Sequence, residues 1–261
     1  MRKKILYISI SIAVCIIIGF TYSFHRYYAP PRIKQPYLIN ATPDDTLRIA
    51  YIGDSWAFMH KNHACKIATI LQDSIHKPVK VYSYGVCGLT SKEIYENMFD
   101  NSDFRLFLSK RRYQYCYISA GINDTYKKMS ISYYQQSMDG IIRFLLSNHI
   151  YPIIQEIPDY DIHISFERQK PSRILLRWLS MIINNTPLDC KQRFRDALDE
   201  IIHKKNYADK LSILRYKSWN GNGEKDQKEL YLSDRLHLND KGYSALDYAI
   251  AKEILTFHTK K

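Results

Sequence analysis

Apolar runs of five to seven residues alternate along this chain with longer amphipathic stretches, and most of them stop at a glycine or a proline. Leu47–Ile52 runs into Gly53, Val79–Tyr84 into Gly85, Tyr115–Ser119 into Ala120-Gly121, and Tyr151–Ile157 into Pro158; Leu211–Tyr216 is the fifth. Helical patterns lie between and after them, near 56–75, 90–99, 132–149, 189–205 and 241–257. Strands separated by helices are joined in parallel, because each connection must cross back over the sheet. The expected fold is therefore α/β, with a doubly wound, mainly parallel sheet between two helical layers, over residues 47–261. In such sheets functional groups collect beyond the carboxyl ends of the strands.

Those ends carry a selective set of residues. The first strand closes in Gly53-Asp54-Ser55, the second in Gly85-Val86-Cys87-Gly88, the third in Gly121-Ile122-Asn123-Asp124. Ser233-Asp234-Arg235-Leu236-His237 precedes the final helix. A serine hydroxyl becomes a useful nucleophile only when a base takes its proton. His237 is the candidate base, and Asp234, three residues earlier, can hold its other ring nitrogen. Acyl transfer also builds an oxyanion that needs donors. The backbone N–H of Ser55, the backbone N–H of Gly88 and the side-chain amide of Asn123 are the candidates. Each feature alone reads most simply as a turn or a cap; together they supply a complete set of chemical roles.

The first 46 residues obey different rules. Arg2, Lys3 and Lys4 precede an uncharged run from Ile5 to Phe24. Twenty residues at about 1.5 Å each span roughly 30 Å, the thickness of a bilayer's hydrocarbon core. Residues 1–24 therefore read as a transmembrane signal-anchor, the basic cluster cytoplasmic and the remaining chain outside. A cleaved signal peptide, with Thr21 and Ser23 as the small residues of its cleavage site, is the alternative; the length of the run and the lack of an A-x-A motif favour the anchor. Cys15 sits within the run as an ordinary apolar residue. Pro30, Pro31, Pro36 and Pro43 mark residues 25–46 as an extended linker, expected to hold the domain off the membrane.

Charge and composition exclude several classes. The chain carries 38 basic and 26 acidic residues, net +12, and losing the three basic residues of the anchor leaves +9. That balance favours anionic partners, but an outward-facing domain does not meet nucleic acid. With 46% apolar and 25% charged residues the chain is an ordinary globular protein, not a disordered, collagen-like or multi-pass one. Cysteines 15, 65, 87, 116 and 190 form no C-x-x-C pair, which excludes a zinc ribbon or a thioredoxin motif. The later four allow three disulfide pairings in an oxidising space, and buried free thiols fit equally well. His60 and His63 lie near Ser55, but two histidines do not make a zinc site; both are expected to face solvent, and no metal or cofactor is called for.

The ordered blocks around Ser55, Gly88, Asn123 and Asp234-x-x-His237, followed by Leu238-Asn239 and Gly242-Tyr243, resemble those of the SGNH/GDSL hydrolases, the GDSL-like esterase/lipase superfamily. The resemblance spans residues 47–257. It implies a three-layer, flavodoxin-like sandwich, with Ser55 as nucleophile, Asp234 and His237 completing the triad, and Ser55, Gly88 and Asn123 forming the oxyanion hole. It also implies a serine esterase, needing no cofactor and acting on an ester substrate such as an O-acetylated glycan; with the outward orientation read from residues 1–24, that esterase is extracytoplasmic and its glycan belongs to the cell envelope. An O-acyltransferase using the same site and a non-catalytic, tethered glycan-binding protein are the alternatives.

Two features depart from the family pattern. Trp56 follows the nucleophile where leucine is common; packing of the first helix is the expected role, ahead of stacking on a sugar. The stretch Asp159–Tyr231 is long, and it holds Arg168, Lys170, Arg173 and Arg177 beside Ile174, Leu175, Trp178, Leu179, Ile182 and Ile183. The apolar members share one helical face. That face could rest on anionic lipid or cover the site, but a helix buried against the sheet is the expectation.

Overall fold

The computed structural model describes residues 2–42, 44–61 and 65–258; Pro43 and His63, both singled out above, lie outside the described residues. The elements in chain order are α1 (Arg2–Tyr27), β1 (Leu47–Gly53), α2 (Ser55–His60), α3 (Ile67–Ile75), β2 (Val79–Gly85), α4 (Ser91–Asp100), α5 (Ser102–Ser109), β3 (Tyr115–Ser119), α6 (Ile122–Lys127), α7 (Ile131–Ser147), β4 (Tyr151–Gln155), α8 (Ile162–Glu167), α9 (Pro171–Ile183), α10 (Lys191–Lys204), β5 (Ser212–Leu214), α11 (Glu224–Glu229) and α12 (Asp240–His258).

The strands form one sheet in the order β2-β1-β3-β4-β5, and every pairing is parallel. Helices α3 and α12 pack together as one layer, and α4, α7 and α10 as the other. All five residues of β3 and all but Arg48 of β1 are buried. A strand covered on both faces cannot alternate apolar with polar residues, which is why these segments read as continuous apolar runs. In register, Gly53 lies opposite both Gly85 and Ser119. The ends of β1, β2 and β3 are therefore level, and their three loops emerge side by side.

Helix starts follow the local chemistry. The side chain of Asp54 caps α2, Asn101 caps α5, Ser130 caps α7 and Asp161 caps α8. Thr90 and Glu93 form a reciprocal capping box on α4, and Pro171 opens α9. The single helix expected near 56–75 is broken: α2 ends at His60 and α3 begins at Ile67.

Helix α1 is long and apolar enough to cross a membrane, with a mean hydropathy of 2.3 over a window with no buried residue. The segment after it is extended, as the prolines require, but it is no free spacer. The Tyr27 carbonyl accepts from the Ser130 N–H at 3.0 Å and the Tyr28 carbonyl from the Ser130 hydroxyl at 2.8 Å. The Lys34 N–H donates to the Tyr95 hydroxyl at 2.7 Å, and Asn148 bridges the Ile39 N–H and the Tyr37 carbonyl. Side chains of the domain thus satisfy a backbone that has no sheet partner. The expected stand-off from the membrane gives way to a strap, and α1 ends directly against the start of α7. All five cysteines are unpaired.

Candidate active site

Asp54 organises the centre of the site. It is fully buried at the end of β1, and its Oδ1 accepts from the Trp56 N–H at 3.0 Å and the Ser119 hydroxyl at 3.2 Å. Its Oδ2 accepts from Asn123 Nδ2 at 3.1 Å. Burial pushes the Asp54 carboxyl up to about 6 despite those hydrogen bonds. One carboxylate therefore ties the β1 loop to the end of β3 and to α6.

Ser55 stands next, at the first position of α2, where its backbone N–H has no partner within the helix. Its Oγ lies 3.1 Å from His237 Nε2, and His237 Nδ1 lies 2.6 Å from Asp234 Oδ2. The second oxygen of Asp234 accepts the N–H groups of Leu236 and His237, each at 3.0 Å. Burial raises the Asp234 pKa, but these hydrogen bonds, led by the one from the His237 ring, outweigh it and hold the carboxyl down to about 2. An ionised Asp234 accepts the Nδ1 hydrogen, which leaves Nε2 free to take the proton of Ser55.

The remaining sequence-predicted residues converge on the same place. The Gly88 loop is tied to α6 from two sides: Ser91 donates to Asp124 through its N–H at 2.8 Å and its hydroxyl at 2.5 Å, and Lys127 Nζ donates to the Gly88 carbonyl at 2.5 Å. Gly88 has φ +81°, a conformation costly for other residues. Asn123 uses one amide hydrogen on Asp54 and keeps the other. Of the five residues expected to form the site, Ser55, His237 and Asp234 are in direct contact, Asn123 is held on the neighbouring Asp54, and Gly88 is tied to α6 through Lys127.

Trp56 is fully buried, as the packing reading expects. It packs edge-on to Trp219 and Tyr231, and its Nε1 donates to the Leu236 carbonyl at 3.2 Å. The indole thus joins the helix of Ser55 to the loop of His237. Helix α8 braces that loop from the other side: Ser165 Oγ donates to the Asp234 carbonyl at 3.0 Å, and Arg168 donates to the Ser233 carbonyl. These braces come from the long 159–231 stretch and have no signature in a linear sequence.

His60 departs from expectation. It is buried, with Nε2 at 2.7 Å from Asp247 and Nδ1 at 3.2 Å from Ser83. A histidine on the inner face of α2 is acceptable there because both ring nitrogens find partners. Cys65 completes a potential three-ligand group with this pair. The imidazole and carboxylate are hydrogen-bonded directly, however, and Asp247 also accepts the Lys66 N–H at 2.8 Å. This is the geometry of a structural pair rather than of ligands spread around an ion.

No protein-family profile and no curated protein matches the chain. Solved structures do. A lipase/acylhydrolase from Enterococcus faecalis superposes with a TM-score of 0.54 at 17% identity, over 80% of this chain and 95% of its own. An acetylxylan esterase from Geobacillus stearothermophilus gives 0.52 at 16% identity, over 83% and 95%. A GDSL-like lipase from Bacteroides thetaiotaomicron gives 0.51 at 15% identity, over 80% and 88%. The chain has the fold of the SGNH/GDSL hydrolases.

Proposed function

We propose that this protein is a membrane-anchored serine esterase that hydrolyses carboxylic esters outside the cytoplasm, with small acyl groups such as O-acetyl on a glycan as its substrates. The observation that carries the reading is the continuous relay from Ser55 Oγ through His237 to an ionised Asp234, with contacts of 3.1 and 2.6 Å. Residues 1–24 are the anchor, 25–46 the connecting strap, and 47–261 the hydrolase domain. Arg2, Lys3 and Lys4 ahead of the apolar run support the outward orientation. The similarity to acetylxylan esterases supports a small acyl group on a carbohydrate.

In this reading Ser55 Oγ attacks the ester carbonyl while His237 Nε2 accepts its proton. Asp234 stabilises the imidazolium and fixes the ring. The carbonyl oxygen, now an oxyanion, receives hydrogen bonds from the Ser55 and Gly88 N–H groups and from the free hydrogen of Asn123 Nδ2. His237 returns the proton to the departing alcohol, and a water activated by the same nitrogen then releases the acid from Ser55.

The test is release of acetate from an aryl acetate and from an acetylated glycan by the intact protein in mild detergent. Ser55→Ala should cut kcat by at least about 10⁴-fold without lowering the unfolding midpoint. Undiminished turnover in that variant refutes the assignment.

A further inference from the structure

Beside Gly88 opens a cleft of about 640 Å³ whose walls include Arg26, Glu93, Lys127, Arg173 and Arg177. Four cations thus face one carboxylate, and Lys127 already engages that carboxylate at 3.6 Å. Arg177 is the unusual member. It is only 8% exposed, its guanidinium stacks 3.6 Å over the ring of Tyr126, and its Nη1 has no hydrogen-bond partner among the described residues. No carboxylate lies within ion-pair distance of it among those residues. A buried, unpaired guanidinium is an expensive arrangement that an incoming anion completes. Arg173 lies one turn earlier on the same side of α9. Two guanidinium forks in one wall match the oxygens of a carboxylate or phosphate. Four of its ten lining residues are cationic, so the cleft suits a polar, anionic alcohol portion.

We propose that this cleft binds an anionic group, a carboxylate or a phosphate, on the alcohol portion of the ester that Ser55 attacks, with Arg177 and Arg173 as its ligands. The proposal rests on the esterase reading of Ser55. Its test compares esters matched except for charge, using the full chain in mild detergent. One pair is acetylated α-1,4-oligogalactose against acetylated oligogalacturonate, its C6-carboxylate counterpart; the other is dihexanoylglycerol against its phosphate. The first pair reports a glycan carboxylate and the second a lipid phosphate. In at least one pair the anionic ester should be preferred in kcat/KM by about tenfold or more, the strength of a charged hydrogen bond. Arg177→Gln and Arg173→Gln should each pull that ratio toward one, mainly through KM. A ratio near one in both pairs, or a preference that both variants preserve, overturns the proposal. The same substitutions in a Ser55→Ala background, read by calorimetric binding of the anionic esters, test the cleft even where nothing is hydrolysed. Loss of Ser55-dependent turnover with intact, arginine-dependent binding would refute the esterase reading alone.

A separate observation concerns the opposite side of α9. Leu175, Trp178, Leu179, Ile182 and Ile183 recur at helical spacing, yet they point outward: Leu175 is 61% exposed, Trp178 53% and Ile182 74%. The residues turned inward include Arg177 and Ser180. The helix is inverted relative to one packed on an aqueous surface, and the sequence expectation of burial against the sheet does not hold. Its neighbour explains the inversion. Arg26 and Tyr27, at the end of the membrane-length α1, share a cleft wall with Arg173, Leu176 and Arg177 of α9. Lys170, exposed just before the start of the helix, lies where an anionic headgroup would meet it.

We infer that α9 lies in the bilayer surface, with its apolar stripe among the acyl chains beneath the headgroups. The inference rests on α1 spanning the membrane. Of the three tryptophans, Trp56 and Trp219 are buried and only Trp178 is exposed. The full chain is reconstituted into vesicles of phosphatidylcholine and phosphatidylglycerol, with and without brominated acyl chains. Flotation reports anchoring, and fluorescence reports α9. Bromine should quench a component of the emission that Trp178→Phe abolishes. Protein that floats but shows no quenching of Trp178 refutes the inference while leaving the anchor intact. Protein that does not float removes the anchor and the inference together.

Discussion

Replacing Asp54 by asparagine separates the electrostatic cost of this carboxylate from its positioning role. Burial raises its pKa from 3.8 to about 6. A folded-state pKa above the unfolded one means that the folded protein binds the proton more tightly. The stability penalty is absent below pH 3.8, grows between 3.8 and about 6, and is complete above that. At about 1.4 kcal/mol per pH unit it reaches about 3 kcal/mol at pH 7. Asparagine never ionises and escapes the penalty. Its oxygen can keep the Trp56 and Ser119 hydrogen bonds, but its amide nitrogen then faces Asn123 Nδ2, donor against donor. That mismatch costs about 1–3 kcal/mol at every pH. About 0.5 kcal/mol of the penalty is already present at pH 4, so the stability of Asp54→Asn relative to the parent should rise by about 2.4 kcal/mol between pH 4 and pH 7. The constant offset, and every group common to both proteins, cancels from the difference. Urea unfolding in mild detergent at the two pH values measures it. A difference that stays flat within about 1 kcal/mol refutes the reasoning. The kinetic counterpart is a drop in kcat of about tenfold, because Asn123 loses the partner that orients it.

Other substitutions probe the remaining contacts. Asp234→Asn should lower kcat by about 10⁴-fold, measured by aryl acetate hydrolysis, because an oxygen kept on the Leu236 and His237 N–H groups turns the amide nitrogen toward His237 Nδ1 and enforces the wrong tautomer. Two glycines should behave oppositely. At Gly88, φ is +81° and nothing lies within 4 Å of an added Cβ, so Gly88→Ala should fold and lose about 10²-fold in kcat through a displaced N–H. At Gly53 the added Cβ would sit 2.1 Å from the Ser119 carbonyl oxygen, so Gly53→Ala should fail to yield folded protein, as judged by circular dichroism. Trp56→Phe keeps most of the ring packing but loses the hydrogen bond to the Leu236 carbonyl; about 1 kcal/mol of stability and several-fold in kcat should go with it, and ring packing alone would leave kcat unchanged.

The parts of this protein visible in its sequence are those set by short-range rules. Strands β1 to β4 showed as apolar runs because a doubly covered sheet needs them, and their terminal glycines marked where loops begin. The proposed nucleophile and oxyanion donors, Ser55, Gly88 and Asn123, are legible because each follows such an end, whereas Asp234 and His237 are legible only from their three-residue spacing before the final helix. The break between α2 and α3 was not visible, since His60 and Ile67 fit one helical repeat on either side of it. His60 looked like a surface residue because its partners, Ser83 and Asp247, lie 23 and 187 residues away. The strap reads as a spacer for the same reason: Asn148, which holds it at Tyr37 and Ile39, is more than 100 residues distant.

Helix α9 shows where periodicity stops being informative. A repeat of apolar residues identifies a face but carries no sign: it cannot say whether that face turns to a protein core or to lipid. The sign comes from what the opposite face must do. Here that face carries Arg177, whose guanidinium stacks on Tyr126 in the cleft wall shared with Gly88, while the apolar stripe is left outside. In water this orientation would expose several large side chains at a cost of about 25 cal/mol for each Å² of apolar surface. In the proposed arrangement, with α1 across the bilayer, the same exposure beside its end carries no such cost. The orientation of α9 and the basic cleft are thus two faces of one arrangement, and Trp178 and Arg177, one residue apart in sequence, report on them separately.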